Sequence, residues 1–394
     1  MGFPKARYDI ADIVRTHRTD LEKRQYLSRS QKRVLTAISR CRTAALGGHL
    51  EVCTGCGREH PVYNSCRNRH CPKCQAAAQQ KWIDARAARI LPIPHFHLVF
   101  TLPSELKPLA QRHPVEIYAA LCRCVSELLL ELGWTRLKAI LGLTLVLHTW
   151  TRDLRFHPHL HVLATAGGLS LDEGSRLREA RAGARARALG GSRFIHIRPS
   201  KKRKAFLFHV KRMGKMLRGK VLDALRELQA KGAFPELDTA AFDRLMTKLA
   251  KHKCWNVYAK APFRRSQHVL SYLGRYTHRV GIANSRLIDV GPGHVTFRTK
   301  GHGTATLHPV VFLARFIQHV LPDGFHKIRH AGLYACAQAG GLLEHARSLL
   351  PEASAPKEAP LLEDAPRCPL CGSLILRIPL NAMARSPPVE AACV

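Results

Sequence analysis

Phe156-His157-Pro158-His159-Leu160-His161-Val162-Leu163-Ala164-Thr165-Ala166-Gly167-Gly168 is an apolar run with histidines at alternate positions. On an extended strand, His159 and His161 point to one face with Leu160 on the other, so two imidazoles stand side by side as a candidate metal-ligand pair. About a hundred residues later the chain reads Ser271-Tyr272-Leu273-Gly274-Arg275-Tyr276-Thr277-His278-Arg279. On a helix, Tyr272 and Tyr276 share a face one turn apart, so two phenols can serve one centre in turn. A phenol with a pKa of about 10 attacks phosphorus poorly at neutral pH unless a divalent ion stabilises the developing charge. The two stretches together point to a metal-assisted tyrosine nucleophile acting on DNA.

The composition supports a polyanionic substrate. Sixty-three Lys and Arg against 28 Asp and Glu give a formal charge of +35, a balance that favours nucleic acid as the partner. Residues 151–220 hold 18 basic and 4 acidic side chains. Within them Lys201, Lys202, Arg203 and Lys204, followed by Phe206, Phe208, Lys211 and Arg212, form a candidate DNA-backbone surface with aromatics for stacking. Arg275 and Arg279 beside the tyrosines are further candidates. No segment has the ~20 consecutive apolar residues of a membrane span, and the opening M-G-F-P-K-A-R lacks the apolar core of a signal peptide, so a cytoplasmic protein is expected.

Thirteen cysteines in such a chain read as metal ligands rather than as a disulfide framework. Cys53-x-x-Cys56 and Cys71-x-x-Cys74, fourteen residues apart, have the spacing of a structural zinc site of four thiolates. His49, Cys66 and His70 are alternates. Arg67 and Arg69, displayed between them, are placed to meet phosphate or base edges. A second CxxC, Cys368 and Cys371, has no local partner pair.

The pattern of apolar spacing and turn residues predicts an α+β chain. A helical lead-in (1–48) precedes the zinc segment (49–93). A catalytic unit (94–300) follows, with a basic insertion at about 170–250. A helical part (301–350) and a linker with a tail (351–394) end the chain. Strands are expected at 95–102, 143–150 and 160–165, and helices at 115–132, 239–251 and 310–321. The second and third strands should pair as a hairpin. With its turn on Leu154 and Arg155, His148 would face His161 and complete the metal site.

These residues resemble the two-tyrosine transposases of rolling-circle insertion sequences, the family named after IS91, within the HUH endonucleases. The resemblance rests on C-x-x-C through N-S-C-R-N-R-H-C-P-K-C, F-T-L-P, L-H-T-W, H-P-H-L-H-V-L, Y-L-G-R-Y-T-H-R and H-V-L-P-D-G-F-H-K-I-R-H, blocks spread along most of the chain. It implies a ferredoxin-like antiparallel sheet carrying His159 and His161, with Tyr272 and Tyr276 as nucleophiles. It also implies catalytic Mg2+ or Mn2+, structural Zn2+, and single-stranded DNA at element ends together with target DNA as partners. The third metal ligand stays open among His148, His157, His268 and Gln267. A plasmid or phage replication initiator and a non-catalytic zinc-dependent DNA-binding protein are the alternative readings.

Overall fold

The computed structural model describes residues 7–74, 80, 83, 85, 86, 89–170, 193–197, 207–263, 281–335, 341–351 and 366–380. It opens with α1 (Ile10–Arg24) and α2 (Arg29–Arg40). Asp9 accepts from the Ala11 N–H to start α1, and Ser28 and Gln31 satisfy each other's backbone N–H groups at the start of α2. Strands β1 (Gly48–Cys53) and β2 (Glu59–Tyr63) form a hairpin.

The next stretch builds the main sheet and the helices that cover it. It runs β3 (His95–Thr101), α3 (Lys107–Arg112), α4 (Pro114–Leu132), β4 (Ile140–Trp150), β5 (Phe156–Ser170), the short β6 (Arg193–His196), α5 (Val210–Ala230), α6 (Thr239–Ala250) and β7 (Val257–Phe263). The antiparallel order is β7-β3-β5-β4, with β11 (Ile328–Gly332) added outside β4 and β6 beside the far end of β5. Strand, helix, two strands, helix, strand in this spatial order is the ferredoxin-like arrangement expected from the resemblance. The chain is α+β, as the sequence predicts.

Alternation along the strands divides the sheet into two faces. Phe96, Leu98 and Phe100, Leu143, Leu145 and Leu147, and Leu160, Val162 and Ala164 pack under α4 and α5 as one core. The intervening positions put His95, His97, His148, His159 and His161 on the opposite face. That face is partly covered as well, since Val146 and Leu163 pack with Leu91, Tyr334, Leu343 and Ala346, and the histidines lie buried or half-buried beside this second core.

Strands β8 (Leu287–Val290), β9 (Val295–Arg298) and β10 (Thr304–Leu307) make a second sheet, followed by α7 (Pro309–Ile317). Ile10, Leu35 and Ile38 of the first two helices share a core with Val295, Phe297, Phe312 and Phe316. The lead-in therefore leans on residues far down the chain rather than forming its own core. After α8 (Leu342–Ser348), strand β12 (Ile375–Leu380) returns to pair with β1, giving a third sheet of order β12-β1-β2.

The hairpin of β4 and β5 differs from expectation in register. His148 stands opposite His159, and Val146 opposite His161, with an irregularity between His148 and Trp150. The cause is Leu154, buried at φ 62 in the left-handed region. Its carbonyl accepts from His319 Nε2 at 3.1 Å and Gln318 Nε2 at 2.9 Å. A two-residue slip preserves the face, so His148 still belongs to the histidine side.

Candidate metal centre

His159 and His161 share β5, and His148 comes to them from β4. The ligand-capable nitrogens of the three lie within 4.8 Å of one another. His148, the hairpin candidate, is thus the third member, while His157 stands outside the trio with its ring 5.3 Å from that of His159. Gln267 and His268 lie outside the described residues, as do Tyr272, Tyr276, Arg275 and Arg279.

A hydrogen bond decides which nitrogen of His159 carries the proton. His159 Nδ1 lies 2.7 Å from the His157 carbonyl. A carbonyl only accepts, so Nδ1 holds the proton and the Nε2 lone pair is free for a cation. His161 Nδ1 lies 2.9 Å from His97 Nε2, with the two rings nearly parallel. When Nδ1 of His161 donates to His97, its Nε2 is likewise left unprotonated. Burial pushes His159 and His97 down to about 4, and His161 well below the usual imidazole value. Neutral rings at pH 7 are the form that ligates a metal.

A further set of contacts braces His148. Its ring stacks on Trp150 with centroids 4.5 Å apart, and the buried Lys327 places Nζ 4.8 Å from the Trp150 ring centre. Burial, and then Arg69, hold the Lys327 amine down to about 7. His97 and Lys327 were not singled out from the sequence. A second alternating pair, His95-Phe96-His97, was the available signal for the first. Lys327 sits inside the H-V-L-P-D-G-F-H-K-I-R-H block with nothing local to mark it.

The trio opens into a cleft of about 630 Å³ whose other wall comes from the connection between β9 and β10, including Thr299, Lys300 and Thr304. Arg152 lines it too, so two exposed cations flank the histidines. The other basic residues expected to meet DNA lie apart from this cleft or outside the described residues. Lys211 and Arg212 are exposed on α5, which packs on the sheet face away from the histidines. Lys201 to Lys204 lie outside the described residues. Arg67 is exposed at φ 52, and Arg69, also exposed, donates to the carbonyls of Phe325 at 2.7 Å and Pro322 at 3.1 Å, which ties the cysteine segment to that loop.

The cysteines correct the expected single site. Cys71 and Cys74 gather with Cys41 and Cys66, whereas Cys53 and Cys56 gather with Cys368 and Cys371. Cys53 and Cys56 sit at the tip of the hairpin of β1 and β2. The five residues of β2 then run back to its base, on the order of 16 Å away. There Arg42 N–H donates to the Asn64 carbonyl at 3.1 Å, bringing Cys41 beside Cys66. Cys41 is a lone cysteine at the end of α2 with no spacing to betray it. The alternates His49 and His70 join neither group. His49 Nε2 lies 3.5 Å from Glu51, and His70 Nε2 accepts from Leu321 N–H at 3.4 Å.

With this geometry in hand, known proteins supply the relationship. A family model described as a putative transposase matches residues 142–340, and one described as a transposase zinc-binding domain matches residues 13–102. The putative transposase y4qJ of Sinorhizobium fredii is 38% identical over 374 residues, covering 89% of this chain and 88% of its own length. The transposase for insertion sequence element IS801 of Pseudomonas savastanoi pv. phaseolicola is 27% identical over 358 residues, covering 86% and 81%. No solved structure matches the chain. Among the described residues no helix is long and apolar enough to cross a membrane. The zinc-binding domain and the gathered thiols support structural Zn2+, and a transposase acts on DNA. The chain belongs to the IS91 family of insertion-sequence transposases and carries the N-terminal zinc-binding domain of that family.

Proposed function

We propose that this transposase cuts and rejoins single-stranded DNA at the ends of its insertion sequence through a 5′-phosphotyrosine link, in rolling-circle-type transposition. The observation that carries the reading is the convergence of three imidazoles, His148, His159 and His161, on one face of a ferredoxin-like sheet beside a cleft. Three imidazole nitrogens suit Mn2+ better than the oxygen-seeking Mg2+, and the ion, when bound, would polarise a phosphate oxygen and neutralise charge around phosphorus.

The chain's own groups supply the rest. One phenol of Tyr272 or Tyr276 attacks phosphorus. The Tyr O–P bond forms, the P–O3′ bond breaks, and the proton leaves with the 3′-hydroxyl. The second tyrosine repeats the step on the other strand end, and attack by a free 3′-hydroxyl reverses either link without ATP. Arg152 and Lys300 at the cleft offset phosphodiester charge, and His97 fixes the ring of His161.

The test uses purified full-length protein, Mn2+ and labelled single-stranded DNA carrying an element end. A denaturation-resistant adduct mapping to Tyr272 or Tyr276, and lost with EDTA, is expected. An adduct that persists in the Tyr272→Phe, Tyr276→Phe double variant would sink the assignment.

A further inference from the structure

Cys368 and Cys371 lie beyond both matched family regions, yet they meet a partner pair. The two CxxCG turns repeat one backbone pattern. In Cys53-Thr54-Gly55-Cys56-Gly57, Gly57 N–H donates to the Cys53 carbonyl at 3.0 Å, and Cys53 N–H donates to the Arg58 carbonyl at 2.9 Å. In Cys368-Pro369-Leu370-Cys371-Gly372, Gly372 N–H donates to the Cys368 carbonyl at 2.9 Å, and Cys368 N–H donates to the Ser373 carbonyl at 2.8 Å. The glycines stand at φ 68 and 76, where a side chain would be strained. Each turn therefore presents its two thiols in the same way.

The strands behind the turns bring them face to face. Strand β12 pairs with β1 residue by residue, from Gly48 opposite Leu380 to Cys53 opposite Ile375. Thr54 donates from both its N–H and its hydroxyl to the Leu374 carbonyl at 3.0 Å. Gly55 has no room for a Cβ, which would fall 2.2 Å from Ser373 Oγ. The sulfurs of Cys53 and Cys371 are 3.3 Å apart and those of Cys56 and Cys368 3.8 Å apart, with all four within 4.8 Å. Zn–S bonds of about 2.3 Å in a tetrahedron require sulfurs about 3.8 Å apart. Disulfides would need about 2.05 Å, and all four thiols are free.

We propose that Cys53, Cys56, Cys368 and Cys371 hold a second zinc ion, separate from the cluster of Cys41, Cys66, Cys71 and Cys74, in a zinc ribbon assembled from the two ends of the chain. Cys56 and Cys368 are 312 positions apart. The site completes only when the last strand has been made, and it fastens that strand to the zinc-binding domain.

The first measurement is the zinc content of the full chain purified under reducing conditions. Two zinc ions per chain are expected, and one in the variant Cys368→Ser with Cys371→Ser. One ion in the parent protein, two in the variant, or a Cys53–Cys371 disulfide found by alkylation and mass spectrometry would overturn the proposal. A second measurement does not depend on how well the variant folds. A protease site is inserted between residues 358 and 359 of the otherwise unaltered chain and cut without denaturant. The fragment ending at Val394 should co-elute with the body, leave on zinc chelation, and rebind when Zn2+ is restored. A fragment that separates while the zinc content is intact, or stays after chelation, refutes the clip.

Discussion

At the scale of single residues, the site works by fixing which nitrogen keeps its proton. The His157 carbonyl does this for His159, and His97 does it for His161 when the His161 Nδ1 is the donor of their shared bond. Removing such a partner of a metal-ligating histidine costs 10–100-fold in metal affinity. His97→Leu is therefore expected to weaken Mn2+ binding by about that factor, and His97→Gln, which can still accept, by less; titration calorimetry reads both. Equal affinity in parent and His97→Leu would show that the ring contact does not orient His161. A proton count of this kind is invisible in sequence, because it depends on which strand lies alongside and at what offset.

At the scale of elements, β3, β4, β5, α4, α6 and α7 were legible, whereas α5, in the stretch read as an insertion, was not, although Met213, Leu217 and Leu225 place it in the main core. Alternating apolar and polar positions gave β3, β4 and β5, and Asp238, whose side chain accepts from the Ala241 N–H, marked the start of α6. The register of the β4–β5 hairpin was misread because Leu154 occupies a conformation that sequence reasoning reserves for glycine or asparagine, and contacts from α7 and its C-terminal end hold it there. The partner of β1 was missed because it comes from the far end of the chain. Gly214 illustrates the same competition. Alanine at an exposed interior helical position gains about 1 kcal/mol over glycine. Here, however, a Cβ would lie 2.3 Å from the Trp255 carbonyl oxygen, so Gly214→Ala should lower the urea midpoint rather than raise it. Buried histidines set the response to acid. His95 donates from Nδ1 to the Ile93 carbonyl and accepts from Tyr334, and His319 is wedged between Thr149 and Leu154. Burial holds both near 4 against an ordinary 6.5. The unfolded chain takes up protons as pH falls through 6.5, whereas the folded chain waits until about 4. Their stability contribution is thus complete above 6.5 and is lost below it, by about 2 kcal/mol for each ring at pH 5. Urea unfolding at pH 7 and pH 5 should show the loss, reduced in His319→Asn; a midpoint independent of pH would mean these rings are not held neutral.

At the scale of the whole molecule, the chain carries a formal charge of +35, while the candidate metal centre is built of imidazoles alone. On the function proposed above, the chemistry and the affinity come from different residues. The histidine trio can select a reacting phosphate but supplies no attraction to the rest of the strand, which falls to cations along the path of the DNA. Lys300, exposed on the cleft wall opposite the trio, is the cation that the proposed function assigns to a phosphate. A phosphate contact releases about one counterion, so Lys300→Ala should weaken single-stranded DNA binding equally for unrelated sequences and flatten the plot of log affinity against log salt by about 0.7. Fluorescence anisotropy across a salt series measures both. A loss confined to the element's own end, with the slope unchanged, would instead make Lys300 a base-reading residue and move sequence selection into the cleft itself.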